Sequence, residues 1–338
     1  MSAQAAVDRT VARQREVASI VQLVQLEMAA WLYRLDPGDL MGSWLRDVLP
    51  GVYTSLVNGQ QRAAAGATGF VSEASTAMGL DASTAYEVVP AAFGGAAADG
   101  RPLTTMLSTP PLRARLAMEH RGQSADWALG QIRQSVLLMG ASEVADAGRG
   151  ADMAAMAATP RVKGYVRVVG AGACSRCAIL AGRWYRYNAS FKRHKRCQCT
   201  GVPAGEARAS RGGGWRTDPQ AYFRSLSPRD QDRLFGRAGA EAIRAGADIA
   251  SVVNARRGLH TVDFGRHGTV LATREGTTRR GYYGRLRRRL EEIEGRKLGR
   301  LRLTPEAILR LAHSREELIR LLARNGYLNL TAAEVAAL

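Results

Sequence analysis

Apolar side chains in the first half of the chain recur at three- and four-residue steps, the spacing that places them on one face of a helix. The clearest run predicts a helix over residues 5–35, and Asp36-Pro37-Gly38 supplies its stop signal. Further helices are expected over 39–65, with a kink at Pro50-Gly51, and over 111–158. Helices of this length are typical of a bundle or an extended packing arm. They carry no recognisable group of catalytic residues.

The pattern changes after Pro160. Residues 163–169 alternate polar and apolar side chains, which predicts a half-buried strand, and Trp184–Tyr187 is expected to return as the second strand of a hairpin. Helix-start signals follow at Asp218-Pro219, Ser227-Pro228, Thr304-Pro305 and the capping box Ser314–Glu317. The helix that begins at Pro228 is expected to run to about Ala245.

These elements predict an α+β protein that is mainly α-helical. It has long N-terminal helices, a small central β unit stapled by a cysteine cluster, and a helical C-terminal module. The expected divisions are a helical N-terminal domain at 1–160, a β-hairpin unit with the Cys/His cluster at 161–205, a helical segment at 206–255, an arginine-rich region at 256–302 and a helical hairpin at 303–338.

Charge is distributed unevenly along the 338 residues, whose net charge is +18. Residues 1–160 hold 12 arginines and 15 acidic residues, whereas residues 161–338 hold 36 basic and 15 acidic residues. No apolar stretch reaches the roughly 18 residues of a membrane-spanning helix, and the N-terminus lacks the basic and apolar regions of a signal peptide. We therefore expect no membrane partner.

The basic excess is greatest in residues 256–302, which hold 14 basic and 5 acidic residues. Its densest arginines are Arg279, Arg280, Arg285, Arg287, Arg288 and Arg289. Arginine binds phosphate in bidentate fashion, so the region favours contact with nucleic acid. No motif that reads base sequence is present. Double-stranded DNA would therefore be bound without sequence specificity. An acidic protein partner and a solvated face are the alternatives.

All four cysteines lie within 26 residues, in the pattern Cys-x2-Cys, sixteen residues, then His-x2-Cys-x-Cys. The candidate ligands are Cys174, Cys177, His194, Cys197 and Cys199. Two close pairs separated by a hairpin-sized insert are typical of a closed tetrahedral zinc site, which would be structural. The alternatives are packed thiols without metal, disulfides, and a catalytic Cys177–His194 pair; a reducing compartment disfavours disulfides. The segment contains no carboxylate to orient His194.

The cysteine segment resembles the signature of the phage Mu F-like (MuF) head-morphogenesis, or minor capsid, proteins, in the version carried by tailed phages of actinobacteria. The matching residues are Cys174, Cys177, Leu180-Ala181-Gly182, Tyr185, His194, Cys197 and Cys199. Lys195 departs from the pattern, because many relatives have proline between the histidine and the next cysteine. The resemblance covers roughly residues 160–330.

The resemblance implies a virion protein that is made in the host cytoplasm and joins the capsid interior in few copies near the portal. Its partners would be the portal protein, the major capsid protein or both, other copies of itself, and packaged DNA. No catalytic residue and no cofactor other than zinc is implied.

A capsid maturation protease, or its fusion to a MuF region, is the rival hypothesis. His260 and His267 flank Asp263 and are the best candidates for a base and its orienting group. No P-loop, no Gly-x-Ser-x-Gly motif and no His-Glu-x2-His motif occurs in the sequence.

Overall fold

The computed structural model describes residues 3–169, 173–189, 199–205, 218–265 and 268–337. The chain divides into two compact units. The N-terminal unit comprises Met1–Ala173 and Ala181–Thr217, and the C-terminal unit comprises Cys174–Leu180 and Asp218–Leu338.

Long helices form most of the N-terminal unit. They are α1 (Ala3–Leu32), α2 (Leu40–Ser43), α3 (Leu49–Ala65), α4 (Ala67–Ala77), α5 (Leu103–Arg121) and α6 (Ala125–Ala158), with a π-helical turn at Trp44–Val48 and a 3-10 turn at Pro90–Phe93. Helix α6 packs against α1, α3, α4 and α5. The helical periodicity accounts for this core, because Val24, Met28 and Leu32 follow one another on α1 and are fully buried.

The expected interruption near Pro50 is confirmed, because the chain passes from the π-helical turn into α3 with Pro50 in its first turn. The single helix expected over 111–158 is wrong. Gly122 adopts a left-handed conformation with φ of 61° and ends α5, and Ser124 then caps α6 by accepting a hydrogen bond from the backbone N–H of Trp127.

A three-stranded antiparallel sheet completes the N-terminal unit, in the order β2-β1-β3. Its strands are β1 (Gly164–Val168), β2 (Trp184–Arg186) and β3 (Thr200–Ala204). The β1–β2 pairing predicted from the sequence is confirmed, and β3 is an addition to it. The expectation of a half-buried strand is wrong, because both faces of β1 are buried. Val166 and Val168 pack with residues of α1, whereas Tyr165 stacks on Tyr185 with ring centroids 5.5 Å apart.

Short helices and a second sheet form the C-terminal unit. The helices are α7 (Ser175–Ala178), α8 (Pro219–Ser225), α9 (Pro228–Phe235), α10 (Arg237–Arg244), α11 (Ile249–Asn254), α12 (Tyr282–Glu294), α13 (Pro305–Leu311), α14 (Arg315–Arg324) and α15 (Ala332–Ala336). The strands β4 (Leu259–Asp263), β5 (Thr269–Thr273) and β6 (Arg302–Leu303) pair antiparallel in that order. Small apolar clusters hold the unit together, one around Val270 and Leu311 and one around Leu286 and Leu290.

Two local expectations for this unit need correction. The helix expected from Pro228 to Ala245 is split, because Gly236 has a φ of 74° and separates α9 from α10. Ser314 caps α14 by accepting from the N–H of Glu317, but the Glu317 carboxylate accepts from His313 rather than from Ser314. A complete capping box is instead present at the start of α15.

The architecture confirms a mainly α-helical α+β fold. Among the residues described, no helix is long and apolar enough to cross a membrane.

Candidate functional site

A tight turn before α12 carries two of the densely spaced arginines of the sequence, Arg279 and Arg280. The Thr277 hydroxyl donates to the carbonyl oxygen of Arg274 at 2.7 Å, and the backbone N–H of Gly284 donates to the carbonyl oxygen of Gly276 at 3.3 Å. The turn therefore lies directly on the first turn of α12. Only glycine fits at this contact, because a β-carbon at Gly284 would overlap the carbonyl oxygen of Thr278.

Four arginines surround this turn, and we call them the arginine cluster: Arg279, Arg280, Arg285 and Arg288. The Arg285 guanidinium donates to the carbonyl oxygen of Arg280, and that of Arg288 donates to the carbonyl oxygen of Arg279 at 3.1 Å. Within the described ranges, no carboxylate lies at ion-pair distance from any member of the cluster. The cluster is thus a group of neighbouring cations without compensating charge.

The other two arginines predicted for this surface differ from the cluster. Arg287 is 19% exposed; it pairs with Glu291 at 3.2 Å and also donates to the carbonyl oxygen of Leu298. Arg289 is solvent-exposed but pairs with Glu292 at 3.1 Å. Both pairs join residues three or four positions apart, so the acidic end of α12 holds arginines one turn away. Four of the six predicted arginines thus have no acidic partner among the residues that the structure describes.

The third acidic residue of α12 also pairs with arginine. Glu294 pairs with Arg324 and with Arg296. The hydrogen bond from Arg324 is the main cause that lowers the pKa of Glu294 below its ordinary value. The carboxylates of α12 are therefore held by arginines outside the cluster.

The first cysteine pair forms a short helical turn in the C-terminal unit. Cys174 is the N-cap residue of α7, and its carbonyl oxygen accepts from the N–H of Cys177 at 2.9 Å. Cys174 is half-buried and Cys177 is buried. Cys199, which precedes β3 in the N-terminal unit, is also buried. His194 and Cys197 lie outside the described residues.

The geometry of the first cysteine pair is compatible with zinc binding. Two cysteines three positions apart in a tight turn can offer both thiolates to one ion, and thiolates are the ligands that zinc prefers in structural sites. In the ranges that can be described, no three His, Cys, Asp or Glu side chains gather as a metal-binding group. Because two of the five candidate ligands fall outside those ranges, zinc remains a prediction.

The histidine and aspartate considered for a protease lie on one strand but on opposite faces. Side chains alternate along β4, so His260 shares the more buried face with Val262, whereas Asp263 lies on the exposed face. The Asp263 carboxylate accepts from the N–H of Gly265 at 3.0 Å, which is a local turn contact. His267 lies outside the described residues. The structure therefore does not bring His260 and Asp263 together as a base and its orienting group.

The sequence indicates a glycine-bounded basic loop at Thr273–Gly281, but not the contacts that shape it. Thr278 and the glycines Gly281 and Gly284 fix the turn, and the three-residue spacing of the two glycines beside the arginines is the one sequence signal for it. The sequence also did not reveal Arg302, which is buried in this unit beneath the ring of Tyr327.

The model of one protein family, described as VG15 protein, matches residues 1–226. The match covers the helical bundle, the sheet of the N-terminal unit and the cysteine segment, and it ends before the arginine cluster. Searches of curated proteins and of solved structures find no match to the chain. Because the family model spans well over half of the sequence, the chain belongs to the VG15 protein family, a family of phage-associated proteins.

Proposed function

We propose that this protein is a MuF-like minor capsid protein that acts in assembly of the phage head. The observation that carries the proposal is the VG15 family match over residues 1–226, because it includes the cysteine segment that resembles the MuF signature. A phage-associated protein with that segment is expected in the particle, in the capsid interior near the portal.

The surface of the N-terminal unit supports a role in protein–protein packing. Large apolar side chains remain exposed on its helices and the adjoining turns, namely Leu23, Leu26, Tyr33, Leu45, Leu112, Leu116 and Trp127. Leu26 on α1 and Tyr33 in the turn that follows it are 69% and 73% exposed. Leu112 and Leu116 lie one turn apart on the same face of α5, and adjoining exposed apolar groups are typical of surfaces that bind another protein. The expected partners are the portal protein, the major capsid protein or further copies of this chain.

Quantitative mass spectrometry of purified mature particles tests this proposal. We expect the full-length chain at a few to tens of copies per particle. A Leu26→Lys variant, supplied in place of the natural chain, should be under-represented in particles because it disrupts the apolar surface of α1. The matched control is Arg62→Gln on α3, which removes an exposed charge whose nearest carboxylate, Glu27, is 4.0 Å away. Absence of the chain, together with a trimmed major capsid protein, would contradict the proposal and favour a departing protease.

A structural zinc ion belongs to the same proposal. The ion would be held by thiolates drawn from Cys174, Cys177, Cys197 and Cys199, with His194 as an alternative ligand, and it would fix the chain around the hairpin. Elemental analysis of the purified chain should find about one zinc per molecule. Cys177→Ser should lower that content and His313→Gln should leave it unchanged. A folded, metal-free protein with four titratable thiols would exclude the site.

A further inference from the structure

We infer that the arginine cluster binds the phosphate backbone of double-stranded DNA without reading its sequence, and that Arg287 and Arg289 take no part in that contact. The choice of DNA rests on the proposed function, since a head protein meets the packaged genome. The site itself rests on the geometry of the turn and of α12. It lies beyond residues 1–226, so the family match does not assign it.

The first argument is uncompensated charge. Arg287 and Arg289 each have a glutamate partner on α12, at 3.2 Å and 3.1 Å. Over the ranges that the structure describes, the four members of the cluster have none. A phosphate that binds a paired arginine must compete with the glutamate that already holds the guanidinium. At the members of the cluster, no carboxylate of the described residues competes in this way. The cluster is therefore the part of the basic surface best suited to an anionic ligand.

The second argument is preorganisation. Arg285 and Arg288 each donate one hydrogen bond to a backbone carbonyl oxygen of the turn, at Arg280 and Arg279 respectively. A guanidinium has five N–H donors, so both side chains keep donors for a phosphate while one contact restricts their motion. Holding an arginine in place before binding lowers the conformational entropy that binding would otherwise cost.

The helix adds to the positive potential at the same place. Helix α12 has thirteen residues, no acidic residue in its first turn and no side-chain cap at Gly281. The N-terminal end of a helix carries a partial positive charge and favours phosphate groups. The turn that bears Arg279 and Arg280 lies against this end, because Gly281 and Gly284 allow its backbone to approach.

The composition of the surface favours nucleic acid over an acidic protein. Tyr283, Leu286 and Leu290 turn their side chains into the unit and are buried. The exposed apolar residue of α12, Ile293, lies in its last turn, away from the cluster. Protein interfaces are usually centred on aromatic or aliphatic anchors, which this end of the helix does not offer. Phosphate binding needs only the positive charge and the donors.

The salt dependence of DNA binding by the purified full-length chain tests the inference. Fluorescence anisotropy with a labelled duplex of roughly 30 base pairs, between about 50 and 200 mM salt, gives the slope of log K against log salt. Each phosphate contact contributes about 0.9 to the steepness of that slope. Replacing all four members of the cluster with glutamine should therefore flatten it by about 3 to 4. A second duplex of unrelated sequence should bind with the same affinity.

Arg285→Gln and Arg289→Gln form a matched pair of single variants. Both remove one charge from the exposed side of α12, but only Arg285 belongs to the cluster, and Arg289 is paired with Glu292. Arg285→Gln should flatten the slope by about 0.9, while Arg289→Gln should leave it unchanged. Arg285→Lys keeps the charge and should retain the slope, with weaker binding because the bidentate geometry is lost. Unchanged circular dichroism confirms that the variants are folded.

Three outcomes would overturn the inference. They are no binding of duplex by the natural chain, equal losses for Arg285→Gln and Arg289→Gln, and binding of polyglutamate as tightly as duplex, which would favour an acidic protein partner. These results are independent of the proposed function. A chain that is present in particles but does not bind DNA contradicts only the inference, whereas a chain that binds DNA but is absent from particles contradicts the proposed function.

Discussion

Both units bury arginine, and the guanidinium groups of Arg13 in the N-terminal unit and Arg302 in the C-terminal unit have different partners. Arg13 of the N-terminal unit is 2% exposed and donates to the Asp152 carboxylate from Nε and Nη2, at 3.1 Å and 3.0 Å. Arg302 of the C-terminal unit is 3% exposed and donates to backbone carbonyl oxygens, including that of Ser251 at 3.2 Å. Its guanidinium carbon lies 4.4 Å from the ring centroid of Tyr327.

The difference shows how a strongly basic unit can fold with few acidic residues. A buried charge must be paired or fully hydrogen-bonded, because its desolvation is otherwise too costly. The N-terminal unit meets this requirement with a second charge, Asp152. The C-terminal unit uses backbone oxygens and an aromatic face and leaves Nε of Arg302 without a hydrogen bond, so Arg302 consumes no carboxylate in the part of the chain that the structure describes. The carboxylates of α12 are then available to fix surface arginines around the cluster.

The largest effect is expected from breaking the charge pair of the N-terminal unit. Asp152→Ala leaves Arg13 charged and buried with only the exposed Glu16, 3.6 Å away, as an acidic partner, which should lower the free energy of unfolding by about 3 to 5 kcal/mol. Urea denaturation measures this loss of free energy of unfolding. The double variant Arg13→Met with Asp152→Leu removes both charges and should recover most of the loss. A double variant that is as unstable as Asp152→Ala would show that the pair itself is not the cause.

The acidity of Asp152 makes the stability of the N-terminal unit depend on pH. Burial is the main cause that raises the pKa of Asp152 to about 6, and the nearby charges of Arg13 and Arg149 counteract it in part. An unfolded aspartate has a pKa of about 3.9, so between these two values the folded state holds the proton more tightly. The stability contributed by this group is therefore present at low pH and is lost as the pH rises through about 6.

The size of that loss is on the order of 3 kcal/mol, from 1.36 kcal/mol for each unit between the two pKa values. Unfolding by urea at a series of pH values, for the natural chain and for Asp152→Asn, isolates the contribution because asparagine does not titrate. The difference in free energy of unfolding between the two proteins should change between the unfolded pKa of about 3.9 and the folded pKa of about 6, and it should be constant at higher pH. A constant difference from pH 4 to pH 7 would contradict the raised pKa of Asp152.

Arg302 should be less costly to remove than the aspartate partner of Arg13. Arg302→Met deletes the buried charge and leaves only neutral carbonyl oxygens without their donor, so no uncompensated charge remains. We expect a loss of about 2 kcal/mol in the free energy of unfolding, the order for buried acceptors left without a partner. Lys at this position is the matched control, because it keeps the charge but cannot reach several carbonyl oxygens at once. A loss from Arg302→Met larger than that from Asp152→Ala would reverse the comparison.

The sequence predicted those features of both units that depend on neighbouring residues. Helix starts at Asp218, Ser227 and Thr304 are confirmed, because each side chain caps its own helix. The hairpin of β1 and β2 follows from the alternation of its apolar residues. The end of α14 at Asn325-Gly326 is likewise a local feature, since Gly326 has a φ of 68°, a conformation that glycine adopts readily.

Features set by tertiary contacts could not be predicted in the same way. The helix breaks at Gly122 and Gly236 depend on backbone conformations that a glycine permits but does not require. The division of the six surface arginines into paired and unpaired groups depends on which side chains the turn before α12 approaches. The charge density identified the region, but only the positions of Thr278 and Gly284 determine how Arg279 and Arg280 are presented.

The smallest expected effects on stability come from replacing one helical glycine in each unit. One of the two glycines also lies at the turn that carries the arginine cluster. A β-carbon at Gly140 of α6 would meet the Cε and Sδ atoms of Met28 at 2.6 Å, the flexible end of a side chain that can move. At Gly284 of α12 it would overlap the backbone carbonyl oxygen of Thr278, which cannot move without displacing the turn. Alanine is favoured over glycine within helices by roughly 0.5–1 kcal/mol, so Gly140→Ala should be close to neutral.

Gly284→Ala should instead destabilise the chain by about 1 to 2 kcal/mol, the order expected when a well-packed contact is overfilled. It should also flatten the salt dependence of DNA binding, because the displaced turn carries Arg279 and Arg280 while every arginine is retained. Gly140→Ala should leave that slope unchanged. If Gly284→Ala destabilises the chain but binds DNA with the natural slope, then the phosphate contact depends on net charge alone, and the arrangement of the cluster around the turn contributes nothing to it.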